Sequence, residues 1–103
     1  MAIVKVTKDN FESEVMQSDK KVLIDFYADW CGPCRMLAPI VEKVAEESDK
    51  VKVCKVNVDE EPELARKFNV MSIPLLVSME NGKVAGTSLG YQPLESVKAL
   101  LKI

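Results

Sequence analysis

The sequence contains no histidine and only three cysteines among 103 residues. A four-ligand zinc site of the Cys/His type therefore cannot be completed, and an odd, small cysteine count does not suit a secreted disulfide framework. Basic residues are not in excess either. With 14 Lys and Arg against 16 Asp and Glu, no field exists to hold a phosphate backbone, and nucleic acid is not an expected partner. No apolar run approaches membrane-spanning length, and Met1 to Val6 lacks the long apolar core and small-residue cleavage site of a leader. A cytoplasmic location, or a mature form after import, is expected, without membrane association. There is no G-x-G-x-x-G run to hold a nicotinamide or flavin, so no resident cofactor is expected.

What remains is an ordinary globular composition, 48% hydrophobic and 29% charged, which leaves little room for disorder. A chain of this length can bury well over half of its unfolded surface and needs no disulfide to fold, so its cysteines are free for other work. No repeat, low-complexity tract or linker interrupts it, and a single domain spanning residues 1–103 is expected.

Strand-like and helix-like patterns alternate. Ile3 to Val6 reads as a short strand, followed by Asn10 as an N-cap and a helix carrying Phe11 and Val15. Lys21 to Ala28 is apolar on both parities, as expected of a central strand covered on both faces. After it, Met36, Leu37, Ile40, Val41, Val44 and Ala45 recur at helical spacing opposite Glu42, Lys43, Glu46 and Glu47. This predicts a long amphipathic helix, kinked but not ended by Pro39. Val51 to Val58 is a further strand, and strand, helix, strand in that order implies a parallel crossover. Pro62 suits the first turn of a short helix with Leu64 and Phe68. Pro74 to Met79 and Lys83 to Leu89 flank Glu80-Asn81-Gly82, a hairpin signal that makes the sheet mixed. Pro93 opens a last helix with a stripe of Leu94, Val97, Leu100 and Leu101.

The chemistry concentrates in Trp30-Cys31-Gly32-Pro33-Cys34, where the central strand ends and the long helix begins. Two intervening residues let a helical turn bring two sulfurs within bonding reach, while unpaired amides and the helix dipole stabilise a thiolate. Cys31, nearer the helix start and expected to reach solvent, is the expected attacking sulfur. It would attack a target disulfide, and Cys34 would then attack Cys31 to release the reduced target, leaving a Cys31–Cys34 disulfide that a reductant must reopen. Asp25 lies inside the buried strand, where lost hydration should raise its pKa. Below the helix, it could take the proton from Cys34; an exposed strand end is the alternative. Cys54 reads most simply as a small apolar strand residue, with a regulatory thiol as the alternative.

These features resemble the thioredoxin family: WCGPC after a buried strand, Asp25 within it, and Ile73-Pro74 before a hairpin. The resemblance covers the whole chain. It implies an α/β thioredoxin fold, a mixed five-stranded sheet flanked by four helices, with a cis peptide before Pro74. It also implies a thiol-disulfide oxidoreductase of the reductant branch, which the Gly32-Pro33 middle resembles, serving electron transport and cell redox homeostasis. A lowered Cys-x-x-Cys pKa is already documented for this family, so that direction is not a new prediction. The implied partners are disulfide-containing target proteins and a reductase, flavoprotein or ferredoxin-linked, acting on a monomer. A lysine near the buried acid is a family feature, so Lys55 is expected to tune Asp25, although a strand lysine commonly snorkels to solvent. Trp30, Gly32, Pro33, Ile73, Pro74 and Gly90 are the expected target-binding residues. Ile73 would offer its backbone for strand-like pairing, and Gly90 would keep the groove open. Three departures stand out. Tyr27 replaces a frequent tryptophan, Leu75 replaces a usual threonine, and Tyr91 follows Gly90; Leu75 and Tyr91 are expected to make the docking surface bulkier and less polar. A scaffold role in a partner complex, and an oxidase or isomerase activity, are the competing functions.

Overall fold

The computed structural model describes residues 2–103. Five strands, β1 (Val4–Lys5), β2 (Lys21–Tyr27), β3 (Val51–Asn57), β4 (Leu75–Glu80) and β5 (Lys83–Leu89), form one sheet in the order β1-β3-β2-β4-β5. The pairs β1/β3 and β2/β3 are parallel, and β2/β4 and β4/β5 are antiparallel. Four helical segments flank the sheet: a π-helical turn at Glu12–Met16, then α1 (Gly32–Glu47), α2 (Pro62–Lys67) and α3 (Leu94–Leu101).

The parity of β2 explains its place at the centre. Val22, Ile24 and Phe26 pack on one face with Phe11, Val15, Val56 and Leu64. Leu23 packs on the other with Leu37, Val41 and Val44 of α1 and Val97 and Leu101 of α3. Both faces of the strand are thereby dry, as its two-sided apolar pattern requires. Helix α1 runs through Pro39 to Glu47 without ending.

Several boundaries differ from the sequence expectations. Asn10 does not cap the first helix: its Oδ1 accepts the Thr7 N–H at 2.7 Å and its Nδ2 donates to the Lys5 carbonyl at 3.0 Å. The residue ties the preceding loop back to β1 instead. The segment after it is π-helical, with the Gln17 N–H donating to the Glu12 carbonyl, though Phe11 and Val15 face the core as expected. Strand β4 starts at Leu75 because Pro74 has no N–H to contribute to a ladder.

The hairpin between β4 and β5 turns on Asn81 and Gly82, both in the left-handed region at φ 53° and 76°, the twist-matched geometry of a two-residue turn. A Cβ on Gly82 would lie 3.3 Å from the Met16 carbonyl oxygen. Gly82→Ala is therefore expected to cost about 1–2 kcal/mol in urea unfolding, from backbone strain and this close approach. A variant as stable as the parent would contradict the assignment of the turn.

Candidate active site

The site is built where β2 hands over to α1. Cys31 sits in extended conformation as the N-cap of α1, and its Sγ accepts the Cys34 backbone N–H at 3.2 Å. Two further backbone bonds frame this turn. The Cys31 N–H donates to the Ala28 carbonyl at 3.2 Å, and the Arg35 N–H to the Cys31 carbonyl at 3.2 Å. Pro33 has no N–H at all. No acidic residue stands in the first turn, so no carboxylate competes for the positive end of the helix dipole.

Cys31 and Cys34 are joined as a disulfide with Cα atoms 5.2 Å apart. Both are almost wholly covered, Cys31 at 4% and Cys34 at 3% exposure, which corrects the expectation that Cys31 reaches solvent. Tyr27, Val58 and Ile73 pack against the cluster that the pair forms with Ala28. What separates the two sulfurs is the amide that Cys31 accepts.

The peptide bond between Ile73 and Pro74 is cis, and the Ile73 carbonyl oxygen lies 3.9 Å from the Cys31 sulfur. Beside it, a cleft of about 420 Å³ is lined by Trp30, Val58, Val70, Met71, Ser72 and Ile73. Trp30 is 70% exposed, held by a hydrogen bond from Nε1 to Asp59 Oδ2 at 2.9 Å. Met71 is 88% exposed. Val70, Met71 and Asp59 escaped the sequence reading, because an isolated Met or Asp in a loop carries no periodic signal.

Gly32 opens α1 and Gly90 follows β5. Gly90 has φ 87° and donates its N–H to the Pro74 carbonyl at 2.8 Å. A Cβ there would meet nothing within 4 Å. Its left-handed backbone by itself calls for glycine. Leu75 is half-buried and packs in part on the core cluster of Phe26 and Val77. Leu89 and Tyr91, either side of Gly90, are the exposed apolar residues in that region.

Asp25 lies on β2 directly beside Lys55 on β3 and Leu76 on β4. It is 0% exposed, and neither carboxylate oxygen has a hydrogen-bond partner. Loss of hydration pushes its pKa up to about 6, opposed by the Lys55 ammonium. Lys55 reaches toward the end of β2, where its Nζ sits 4.4 Å from the centroid of the Tyr27 ring. A smaller cleft of about 170 Å³ brings Tyr27, Asp29, Cys34, Arg35 and Lys55 together on one lining. Cys54, by contrast, is completely buried and burial pushes its thiol up to about 12, which makes it a core residue without reactivity near neutrality. Among the described residues no cluster of three or more Cys, Asp or Glu could hold a metal, and no helix is long and apolar enough to cross a membrane.

A redox-active pair capping a helix that leaves the central strand of a mixed five-stranded α/β sheet, beside a cis-proline loop, defines a thiol-disulfide oxidoreductase of the thioredoxin fold. The thioredoxin family model matches residues 2–103. The chain is 48% identical over 101 residues to the thioredoxin of Alicyclobacillus acidocaldarius, covering 97% of this chain and 95% of that one. It is 47% identical over 102 residues to the thioredoxin of Bacillus subtilis, with 98% and 96% covered, and 43% identical over 93 residues to that of Rickettsia prowazekii, with 89% of each covered. The chain belongs to the thioredoxin family, and its activity is the reduction of disulfides by dithiol-disulfide exchange.

Asp25 should leave a signature in stability. Its folded pKa of about 6 lies above the ordinary 3.8, so the folded state holds the proton more tightly and stability falls as pH rises through that window. The loss is complete above the folded value and amounts to roughly 3 kcal/mol. Asp25→Ala is therefore expected to be more stable than the parent near pH ~8, an advantage that shrinks or reverses near pH ~4, in urea unfolding of the oxidised proteins. An equal difference at both pH values would contradict a buried, uncompensated acid.

Proposed function

We propose that Cys31 is the nucleophile of this reductase and Cys34 its resolving thiol, with Asp25 as the proton acceptor and Lys55 tuning it. The observation that carries the assignment is the Cys34 N–H bonded to the Cys31 sulfur at the start of α1. A thiolate in that position gains a hydrogen bond and the helix dipole, whereas among the described residues no amide donates to the Cys34 sulfur.

In the proposed cycle the Cys31 thiolate attacks one sulfur of a target disulfide, forming a mixed disulfide and expelling the other target sulfur as a thiolate. Cys34 then gives its proton to the buried carboxylate of Asp25 and attacks the Cys31 sulfur. The Cys31–target bond breaks, the second target sulfur leaves, and the pair ends as a disulfide. Two electrons have passed from the enzyme dithiol to the target, whose sulfurs take up protons to become thiols. Family membership implies disulfide-bearing target proteins and a thioredoxin reductase that returns the electrons. Whether the donor is flavin-based or ferredoxin-linked, the proposed chemistry at Cys31 and Cys34 is the same.

The target segment is proposed to lie along the cleft flanked by Trp30 and Met71 and to pair with the backbone at Ile73, with Gly32, Pro33, Pro74 and Gly90 shaping the rim. The closeness of the Ile73 carbonyl to the Cys31 sulfur supports this placement. The chain is read as a single domain working as a monomer in the cytoplasm, in line with a dithiol that needs a reducing compartment.

Insulin reduction with dithiothreitol as donor tests the assignment. Cys31→Ser should show no turnover above the dithiothreitol background. Cys34→Ser should accumulate a covalent complex with a target through Cys31, visible by mass spectrometry and released by excess thiol. Parental turnover in Cys31→Ser, or complexes formed through Cys34 in its place, would overturn the roles.

A further inference from the structure

Lys55 is the one charge set directly beside Asp25 in the strand register, yet its long side chain has no evident reason to stay there. The ammonium cannot follow Asp25 into the core without losing its hydration. Among the described residues the ion-paired lysines are Lys5, Lys21, Lys52 and Lys98, and Lys55 is not one of them. Its recorded contact is the Tyr27 ring, 4.4 Å from Nζ, within the range of attraction between a cation and an aromatic face. Tyr27 follows Asp25 by two residues on β2 and so shares its face of the sheet. Both Tyr27 and Lys55 line the small cleft that also holds Cys34.

We propose that Tyr27 is a positioning residue: its ring holds the Lys55 ammonium at the cleft that Cys34 lines, near the buried carboxylate of Asp25. Without the ring, Lys55 extends into solvent and its field at Asp25 weakens. The proposal rests on the reading of Asp25 as the buried acid of the site.

The surroundings permit this arrangement. Burial, and then Asp29, hold the Tyr27 phenol above its ordinary range, so the ring stays neutral with its electron-rich face intact. The charged groups facing the assembly are Lys55 from β3, Arg35 from α1, Asp29 from the turn between β2 and α1, and the ion pair of Lys5 from β1 with Glu60 after β3. Arg35 is drawn aside, its guanidinium donating to the Asp29 carbonyl at 2.8 Å. From β4 the neighbour of Asp25 is the apolar Leu76. Lys55 is the cation whose field opposes the rise in the Asp25 pKa.

The test is the titration of Asp25 by carboxyl-carbon NMR in the oxidised protein, where Cys31 and Cys34 do not titrate. Tyr27→Leu should raise the Asp25 midpoint by roughly 0.3–1 pH unit, and Lys55→Met by at least as much. Tyr27→Phe, which keeps the aromatic face, should leave it unmoved. In a Lys55→Met background, Tyr27→Leu should add nothing, because the group it positions is gone. A Tyr27→Leu shift of the same size in both backgrounds, no shift in either, or a Tyr27→Phe shift equal to that of Leu would overturn the proposal. A parental midpoint in the ordinary carboxylate range would instead contradict the reading of Asp25, and with it the premise. The two failures are therefore distinguishable.

Discussion

The hydrogen bond from the Cys34 amide to the Cys31 sulfur is the contact around which the rest of this molecule is arranged. It exists because α1 begins at once where β2 ends, so the N-cap position falls on a cysteine. That geometry depends on β2 being central. Only a strand flanked by β3 on one side and β4 on the other, and covered on both faces, is held firmly enough to fix where the next helix starts. The same placement of β2 beside β4 brings the Ile73 carbonyl against the sulfur, so the reactive pair and its docking edge share a single support.

Three cysteines in one small domain illustrate how environment divides one functional group into different chemistries. Cys31 and Cys34 lie at a helix start among backbone donors; Cys54 lies in mid-strand between Val4 and Ile24, where burial is the largest influence on it. Asp25 is the costly member of the set. Its carboxylate has no hydrogen-bond partner, and a buried carboxyl of that kind persists only where a large core offsets it. Leu23, Ile24 and Phe26 on either side of it, all fully buried, supply that offset. The burial that makes Asp25 expensive is also what brings its proton affinity close to neutrality, where it suits the transfer proposed for it.

Most of the fold was legible in the sequence because its signals are local. The two-sided apolar run of Lys21 to Tyr27, the stripe of α1 and the Asn81-Gly82 turn each follow from side-chain period or backbone preference. So did the cysteine pair, whose spacing and position suffice, and Asp25, conspicuous as an acid in an apolar strand. The misreadings involve side-chain contacts, some near in sequence and some far. Asn10 looked like a cap but is claimed by Thr7 and Lys5. Leu75 packs in part on the core, and Val58 and Ile73 pack against the cluster of Ala28, Cys31 and Cys34, neither of which a residue type can announce. The Trp30 bond to Asp59 and the Lys55 contact with Tyr27 join residues roughly thirty positions apart; nothing in either residue's own neighbourhood predicts its partner.

The central claim is that the start of α1 ionises one thiol of the pair near neutrality. Following thiolate ultraviolet absorbance against pH in the fully reduced protein tests it most directly, with Cys34→Ser isolating Cys31 from its neighbour and Cys54→Ala removing the core thiol. The account predicts that Cys31 loses its proton below the ordinary thiol value of about 8.5. A midpoint for Cys31 at or above that value would contradict it.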